Sequence, residues 1–146
     1  MVAVMACVLL NGIDEMPSGP HAKLLRVTVV ADSRETIDGL HAYFQGAGVA
    51  AHTMRALRDA SAIPPATTAI VLFPDEFDAK EVATRITSLR TTRPRLLVVV
   101  VTSTPQLFRS ALEPDEQSLL PIVLPKPVFG WAILDAIRAH AHTEAP

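Results

Sequence analysis

The chain has few of the residues that staple small folds or bind nucleic acids. Only one of its 146 residues, Cys7, is a cysteine, which excludes an internal disulfide and a zinc site built on several thiolates. Aromatic residues make up 5% of the chain and the formal net charge is -2, so neither a ring-rich surface nor a broad basic field is present. We therefore expect no direct contact with nucleic acid. Packing must supply the stability, and a hydrophobic content of 49% over this length allows one compact domain.

The N-terminal stretch MVAVMACVLL is apolar, but it lacks the basic flank of a secretory signal and is too short to span a bilayer. We expect a cytoplasmic protein without a membrane partner. Three interpretations of the stretch stay open: an added element packed on the domain, a hydrophobic contact for a partner, or sequence upstream of a start at Met16. The Gly- and Pro-rich run NGIDEMPSGPHAK that follows predicts a flexible connector. Residues 1–23 are thus predicted to be an extension of unknown role before a domain over residues 24–142.

Strand-like and helix-like patterns alternate from Leu24 onward. Runs rich in branched apolar residues predict strands over 24–31, 69–73, 96–101 and 121–124, and VAAHTM is a weaker strand pattern over 49–54. Apolar residues at helical spacing predict helices over 34–48 and 57–63, from about Asp78, over 106–112, and from near Phe129. The last helix is predicted to bury Trp131, Leu134 and Ile137, with Ile133 and Ala141 widening its apolar face. Such alternation implies parallel strands joined by right-handed crossovers, a three-layer doubly wound α/β fold.

Polar residues follow most of the predicted strands. In open α/β sheets ligands bind outside the carboxyl ends of the strands, so these residues are expected to converge on one crevice. They are Asp32, Ser33, Asp75, Glu76, Thr102, Ser103 and Lys126, with the prolines Pro74 and Pro127 beside them.

Four of the strand ends, VVADS, IVLFP, VVTS and LPKPV, resemble in their order and spacing the receiver (CheY-like) domain of two-component response regulators. The resemblance covers residues 25 to about 141. It implies a flavodoxin-like sheet with strand order 2-1-3-4-5 and a role in signal transduction. It does not imply an enzyme.

In that family an aspartate accepts a phosphoryl group, Mg²⁺ held by acidic residues neutralises its charge, and a lysine pairs with the phosphoryl oxygens. Transfer of this kind depends on positioning and on electrostatic stabilisation of the transferred group. Matched position by position, the resemblance implies that Asp32 holds the metal, that the Thr102 hydroxyl contacts the phosphoryl group and that Lys126 provides the ammonium. It also implies a cis Lys126–Pro127 bond.

Five positions depart from the family pattern, and two of them, Asp78 and Val82, replace the usual Pro and Gly in the loop after the acceptor. The phosphoacceptor position is occupied by Pro74, which has no nucleophile. Ala31 replaces the first member of the acidic pair, and Val123 replaces the aromatic residue three positions before the lysine. The resemblance therefore predicts a pocket with the family's shape but without its acceptor.

Asp75 follows the acceptor position by one residue and is the fallback phosphoacceptor. A shift of one residue along a strand turns a side chain to the opposite face, which would point Asp75 away from Lys126. The strand ends here, however, and Pro74 fixes its own φ, so the loop can turn Asp75 back. The fallback metal ligands would then be Asp32 and Asp75, with Glu76 as a further candidate. So few acidic ligands suit Mg²⁺ poorly, because this ion demands octahedral geometry. We prefer a structural or capping role for Asp75, and Asp32 fits a helix cap as well as a metal ligand.

The leading hypothesis is a receiver-like signalling domain with a degenerate pocket of Asp32, Asp75, Thr102 and Lys126. It would act as a phosphorylation-independent protein interaction module with no cofactor. Family precedent places a signalling partner, or a second copy of the chain, on the face formed by the fourth helix, fifth strand and fifth helix, roughly residues 105 to 140. Two alternatives stay open: a working phosphoacceptor that uses Asp75 with Mg²⁺, and a small nucleotide-binding protein or enzyme that uses the same crevice.

Overall fold

Five strands, four of them rich in branched apolar residues, form one parallel sheet in the computed structural model, which describes residues 25–57 and 60–144. The predicted extension over residues 1–23 lies outside the described residues. The strands are β1 (Arg26–Val30), β2 (Ala50–Met54), β3 (Ala69–Leu72), β4 (Leu97–Val101) and β5 (Ile122–Leu124). Their order in the sheet is β2-β1-β3-β4-β5. The predicted fold class and strand order are both confirmed.

Two α-helices and three 3-10 segments connect the strands in the described part of the chain, and a third α-helix follows β5. The α-helices are α1 (Arg34–Gly46), α2 (Ala79–Thr92) and α3 (Gly130–Glu144), and the 3-10 segments are Ala60–Ala62, Pro74–Glu76 and Pro105–Leu112. None of these helices combines the length and the apolar character needed to cross a membrane.

Each face of the sheet carries its own hydrophobic cluster. Strand residues that point to one side, such as Val29 and Val99, pack with Phe44 of α1 and Ile137 of α3. Their neighbours along the strands point to the other side, where the cluster includes residues of α2 and Phe108 of the segment Pro105–Leu112. All five residues of β4 are buried, as expected for a strand covered on both faces.

The ends of α1 follow from local chemistry. Ser33 is the N-cap, because its side chain accepts a hydrogen bond from the Thr36 amide at 3.3 Å. The expectation that Asp32 caps this helix is therefore wrong, since Ser33 is the residue with the required extended backbone at the helix start. Gly48 follows the helix with a φ of 79°, a conformation that favours glycine, which confirms the predicted end.

Two of the predicted helices are 3-10 structures instead of α-helices. The helix predicted over 57–63 is described only as a 3-10 turn over Ala60–Ala62, and the one predicted over 106–112 is a 3-10 segment over Pro105–Leu112. Short connectors favour the 3-10 form, which closes a turn with fewer residues. In α3, Ile133, Leu134 and Ile137 are buried as predicted, but Trp131 is 57% exposed. Its predicted place in the core is wrong, since it lies in the first turn of α3 and stacks on the exposed ring of Phe129.

Candidate functional site

The chain leaves β3 through a 3-10 turn that begins at Pro74. The Phe73 amide still donates to the Val30 carbonyl at 3.0 Å, so sheet pairing ends at that residue. The Phe77 amide then donates to the Pro74 carbonyl, also at 3.0 Å, and Pro74 occupies a first-turn position that tolerates its fixed φ and missing N–H. Because the alternation of side chains stops with the strand, Asp75 is not carried to the opposite face. Its carboxylate turns toward the ends of β4 and β5.

The polar groups of the crevice are directed at the carboxylate of Asp75. Its Oδ1 accepts hydrogen bonds from the Thr102 hydroxyl at 2.5 Å and the Thr104 hydroxyl at 3.4 Å. Its Oδ2 accepts from the Ser103 amide at 3.0 Å and the Ser103 hydroxyl at 3.1 Å. The Lys126 ammonium lies 3.5 Å from the same oxygen. Donors from two loops therefore surround one acidic side chain that is itself only 19% exposed.

These contacts set the ionisation of Asp75. Burial is the largest single influence and acts to raise the pKa of the carboxyl group. The hydrogen bonds from Thr102 and Ser103, together with the charge of Lys126, outweigh it and hold the pKa below its ordinary value of 3.8. The side chain is therefore a carboxylate at neutral pH, held in its charged form by its neighbours.

The donors are held in place by the sheet. The Thr102 amide donates to the Leu124 carbonyl at 3.0 Å, which continues the β4–β5 pairing by one step. The Thr102 hydroxyl also accepts from the Thr104 amide at 3.0 Å, which shapes the loop after β4. Thr102 is 1% exposed. Lys126 lies in the loop after β5, and the Lys126–Pro127 bond is cis, as the resemblance implies.

Asp32 and Glu76 form a separate arrangement beside the first strand. The Asp32 side chain is 61% exposed, and its Oδ1 lies 3.4 Å from the Arg55 guanidinium. Arg55 also donates to the Asp32 carbonyl at 2.8 Å. The Glu76 Oε1 accepts from the backbone amides of Asp32 and Ser33, so this acid ties the turn after β3 to the start of α1. Asp32 is not brought into contact with the other predicted pocket residues.

The acids of the crevice do not fit the magnesium ion that the receiver fold implies. Mg²⁺ requires near-octahedral oxygen ligands, usually with one or two carboxylates converging on it. Here Asp75 faces hydroxyl groups and an ammonium, Glu76 faces backbone amides, and Asp32 faces a guanidinium. No group of three His, Cys, Asp or Glu side chains within the described residues is placed to hold a metal.

The remaining matched positions are occupied by apolar side chains. Pro74 is buried at the end of β3, Ala31 is 0% exposed, and Val123 on β5 is 40% exposed. Sequence reasoning missed the hydroxyl of Thr104 and the guanidinium of Arg55. The run of three hydroxyl residues directly after β4 was a signal for the first, whereas no signal in the sequence pointed to the second.

A groove of about 800 Å³ opens next to the crevice, between α1 and the start of α3. Phe129 and Trp131 stack at its rim with ring centroids 6.3 Å apart and an interplanar angle of 7°. Gly130 between them lacks a Cβ, which would lie 2.9 Å from the ring of Tyr43. Lys126 lines both the groove and the crevice, so the two features are continuous.

Solved structures with the same architecture were found by comparison. The chain matches a chemotaxis protein, CheY4, of Vibrio cholerae at 14% identity and a TM-score of 0.60, over 80% of this chain and 98% of that one. It matches the NtrC4 receiver domain at 22% identity and a TM-score of 0.58, over 78% and 93% of the two chains. A pilus assembly-related protein of Burkholderia pseudomallei matches at 18% identity and a TM-score of 0.62, over 88% and 98%.

The chain has the fold of a receiver domain. No family model matches the sequence, and no curated protein matches it. At these identities the structural likeness concerns the fold alone, so any activity must be argued from the crevice.

Proposed function

We propose that the chain is a receiver-like signalling domain of two-component type whose phosphoacceptor site is degenerate, and that it acts as a phosphorylation-independent protein interaction module. One observation carries the proposal. Pro74 at the end of β3 offers no nucleophile, and the neighbouring Asp75 carboxylate is already engaged by Thr102, Ser103 and Lys126. The misfit of the acids to Mg²⁺ supports the same conclusion, because phosphoryl transfer needs a cation to neutralise the transferred group.

The interaction surface is proposed on the side of β5. Six large hydrophobic side chains are exposed in the described part of the chain, and five of them lie between residues 105 and 140. These five are Leu107, Leu120, Val123, Phe129 and Trp131. Exposed apolar and aromatic side chains can mark protein interaction sites, and two of these five, Phe129 and Trp131, stack on each other. A signalling protein is the proposed partner, with a second copy of the chain as the alternative. The NtrC4 receiver domain is described as a dimer.

The test is exposure of the purified chain to Mg²⁺ and a small-molecule phosphodonor, followed by intact mass spectrometry. We expect the mass to stay unchanged under conditions that label a standard receiver domain in a parallel reaction. A phosphate adduct on the wild-type chain that is absent from Asp75→Asn would contradict the proposal.

A working phosphoacceptor is the second candidate, because one observation favours it. Asp75 lies within reach of both groups that the resemblance assigns to the phosphoryl oxygens, the Thr102 hydroxyl at 2.5 Å and the Lys126 ammonium at 3.5 Å. The same mass measurement separates the two candidates.

A further inference from the structure

The donors around Asp75 have the chemistry of an oxyanion site. Thr102 and Thr104 point hydroxyl groups at one carboxylate oxygen, and Ser103 points its amide and hydroxyl at the other. Lys126 adds a positive charge at 3.5 Å. Four hydrogen-bond donors and one cation directed at two oxygens match what carboxylates and phosphates require of a binding site.

The arrangement of these donors does not depend on Asp75 alone. Thr102 is held by the hydrogen bond from its backbone amide to the Leu124 carbonyl, and it is buried. The Thr104 amide donates to the Thr102 hydroxyl oxygen, so the loop after β4 carries its own internal bond. Removal of the carboxylate would therefore leave most of the donors in place, with their partner missing.

We propose that Asp75 is a built-in occupant of this oxyanion cradle, formed by Thr102, Ser103, Thr104 and Lys126, and that its carboxylate substitutes for phosphoryl oxygens. This inference rests on the proposed function, since it takes the pocket to be that of a receiver-like domain. It adds how the site is regulated: the chain supplies its own anion. The loops after β3, β4 and β5 are then tied together permanently, without a phosphodonor or a metal.

The experiment removes the Asp75 carboxylate from the cradle and supplies a replacement anion from solution. Asp75→Ala removes the carboxylate, and acetate is a small carboxylate that can supply one from solution. We expect the variant to have a Tm about 5 °C lower than wild type, in line with the loss of charge-assisted hydrogen bonds in a domain of this size. Acetate or inorganic phosphate should restore most of that loss by binding the folded state, and should leave the wild-type Tm unchanged.

Three controls distinguish anion binding in the cradle from a general effect of salt on the Tm. Sodium chloride at matched ionic strength should not restore the Tm. The double variant Asp75→Ala/Lys126→Met lacks the cation and should not respond to acetate. Asp38→Ala removes an exposed acid on α1 and should neither lower the Tm nor create a response to acetate. The fluorescence of Trp131, the single tryptophan, provides a second readout at the start of α3, in the groove that Lys126 also lines.

Each outcome of the anion experiment either supports or overturns the proposed role of Asp75. If Asp75→Ala folds only with acetate or phosphate, the proposal is supported, and Asp75→Ser repeats the test in a less disruptive background. If neither variant responds to an anion, or if wild type and the double variant respond as strongly as Asp75→Ala does, the proposal is overturned. A phosphate adduct on wild-type protein would refute the proposed function without changing the acetate result, so the two failures are distinguishable.

Discussion

The ion pair between Lys126 and Asp75 makes a quantitative prediction about stability. At 3.5 Å the Coulomb attraction is about 5 kcal/mol for an effective dielectric constant of about 20. Desolvation and side-chain ordering cancel most of it, and fully exposed pairs retain at most about 1 kcal/mol. Here the two side chains are only 31% and 19% exposed, so water screens the pair less than it screens a surface pair. We therefore expect a coupling energy of about 1.5 kcal/mol, slightly above the surface range.

A double-mutant cycle measures this coupling. Lys126→Met keeps an unbranched side chain that is one atom shorter and removes the charge, and Asp75→Asn keeps the shape and removes the charge. Urea unfolding of the four proteins, followed by far-UV circular dichroism, gives the free energy of unfolding of each. The double variant should lose about 1.5 kcal/mol less than the sum of the two single losses. A coupling below about 0.3 kcal/mol, the usual error of additivity, would refute the argument that Lys126 holds the carboxylate in the crevice.

The same cycle has a predicted dependence on pH. Because the folded-state pKa of Asp75 is lowered, the unfolded chain takes up the proton first as the pH falls. The stabilisation by the carboxylate is therefore fully present well above 3.8 and is lost as the pH falls below that value, through the lower folded-state pKa. The coupling should be unchanged between about pH 6 and pH 8. If it instead varied across that range, a different titrating group would control the pair.

Two further predictions concern contacts that shape the ends of the sheet. Thr28 and Thr67 share a hydrogen bond of 2.9 Å between buried hydroxyl groups. Thr28→Val should lower the free energy of unfolding by about 2 kcal/mol, because it leaves the Thr67 hydroxyl without its partner. The double variant Thr28→Val/Thr67→Val should lose less, and urea unfolding measures both losses. Glu76→Gln keeps an acceptor for the Asp32 and Ser33 amides but removes its charge, so the free energy of unfolding should fall by about 1 kcal/mol. Glu76→Ala removes the acceptor and should lower it by about 2 kcal/mol. The alanine variant should also speed hydrogen exchange at those two amides. An equal effect of the two Glu76 variants would mean that the carboxylate is not a backbone acceptor in solution.

The fold could be predicted because its signals are local and repeated. Runs such as LLVVVV are compatible with little other than a buried strand, and the alternation of strands with helical patterns leaves few topologies. The strand order came from the resemblance. The two 3-10 segments could not be distinguished from α-helices, because apolar spacing over seven residues or fewer does not separate the two periods. Trp131 was assigned to the core because helical spacing identifies a stripe but does not show where along the helix the core ends.

The direction of Asp75 was the point that the sequence left open. Strand alternation pointed the side chain away from Lys126, and the proline before it allowed a turn back. The outcome depends on donors that are distant in the chain, the hydroxyl groups after β4 and the ammonium after β5. No local pattern contains this information. The hydroxyl-rich run after β4 and the acid after β3 become meaningful only when parallel strands bring their ends to one edge.

The contacts that hold Asp75 also bear on whether it can accept a phosphoryl group. Only interactions that are stronger in the transition state than in the ground state accelerate a reaction. Here Thr102, Ser103 and Lys126 already bind the unmodified carboxylate, so their interaction energy stabilises the reactant. The lowered pKa acts in the same direction, because a carboxylate that binds protons weakly is also a weaker nucleophile. A phosphodonor would thus meet an oxygen whose neighbours must first release it, and this cost, in addition to the missing nucleophile at Pro74, is the physical reason to expect an inert site.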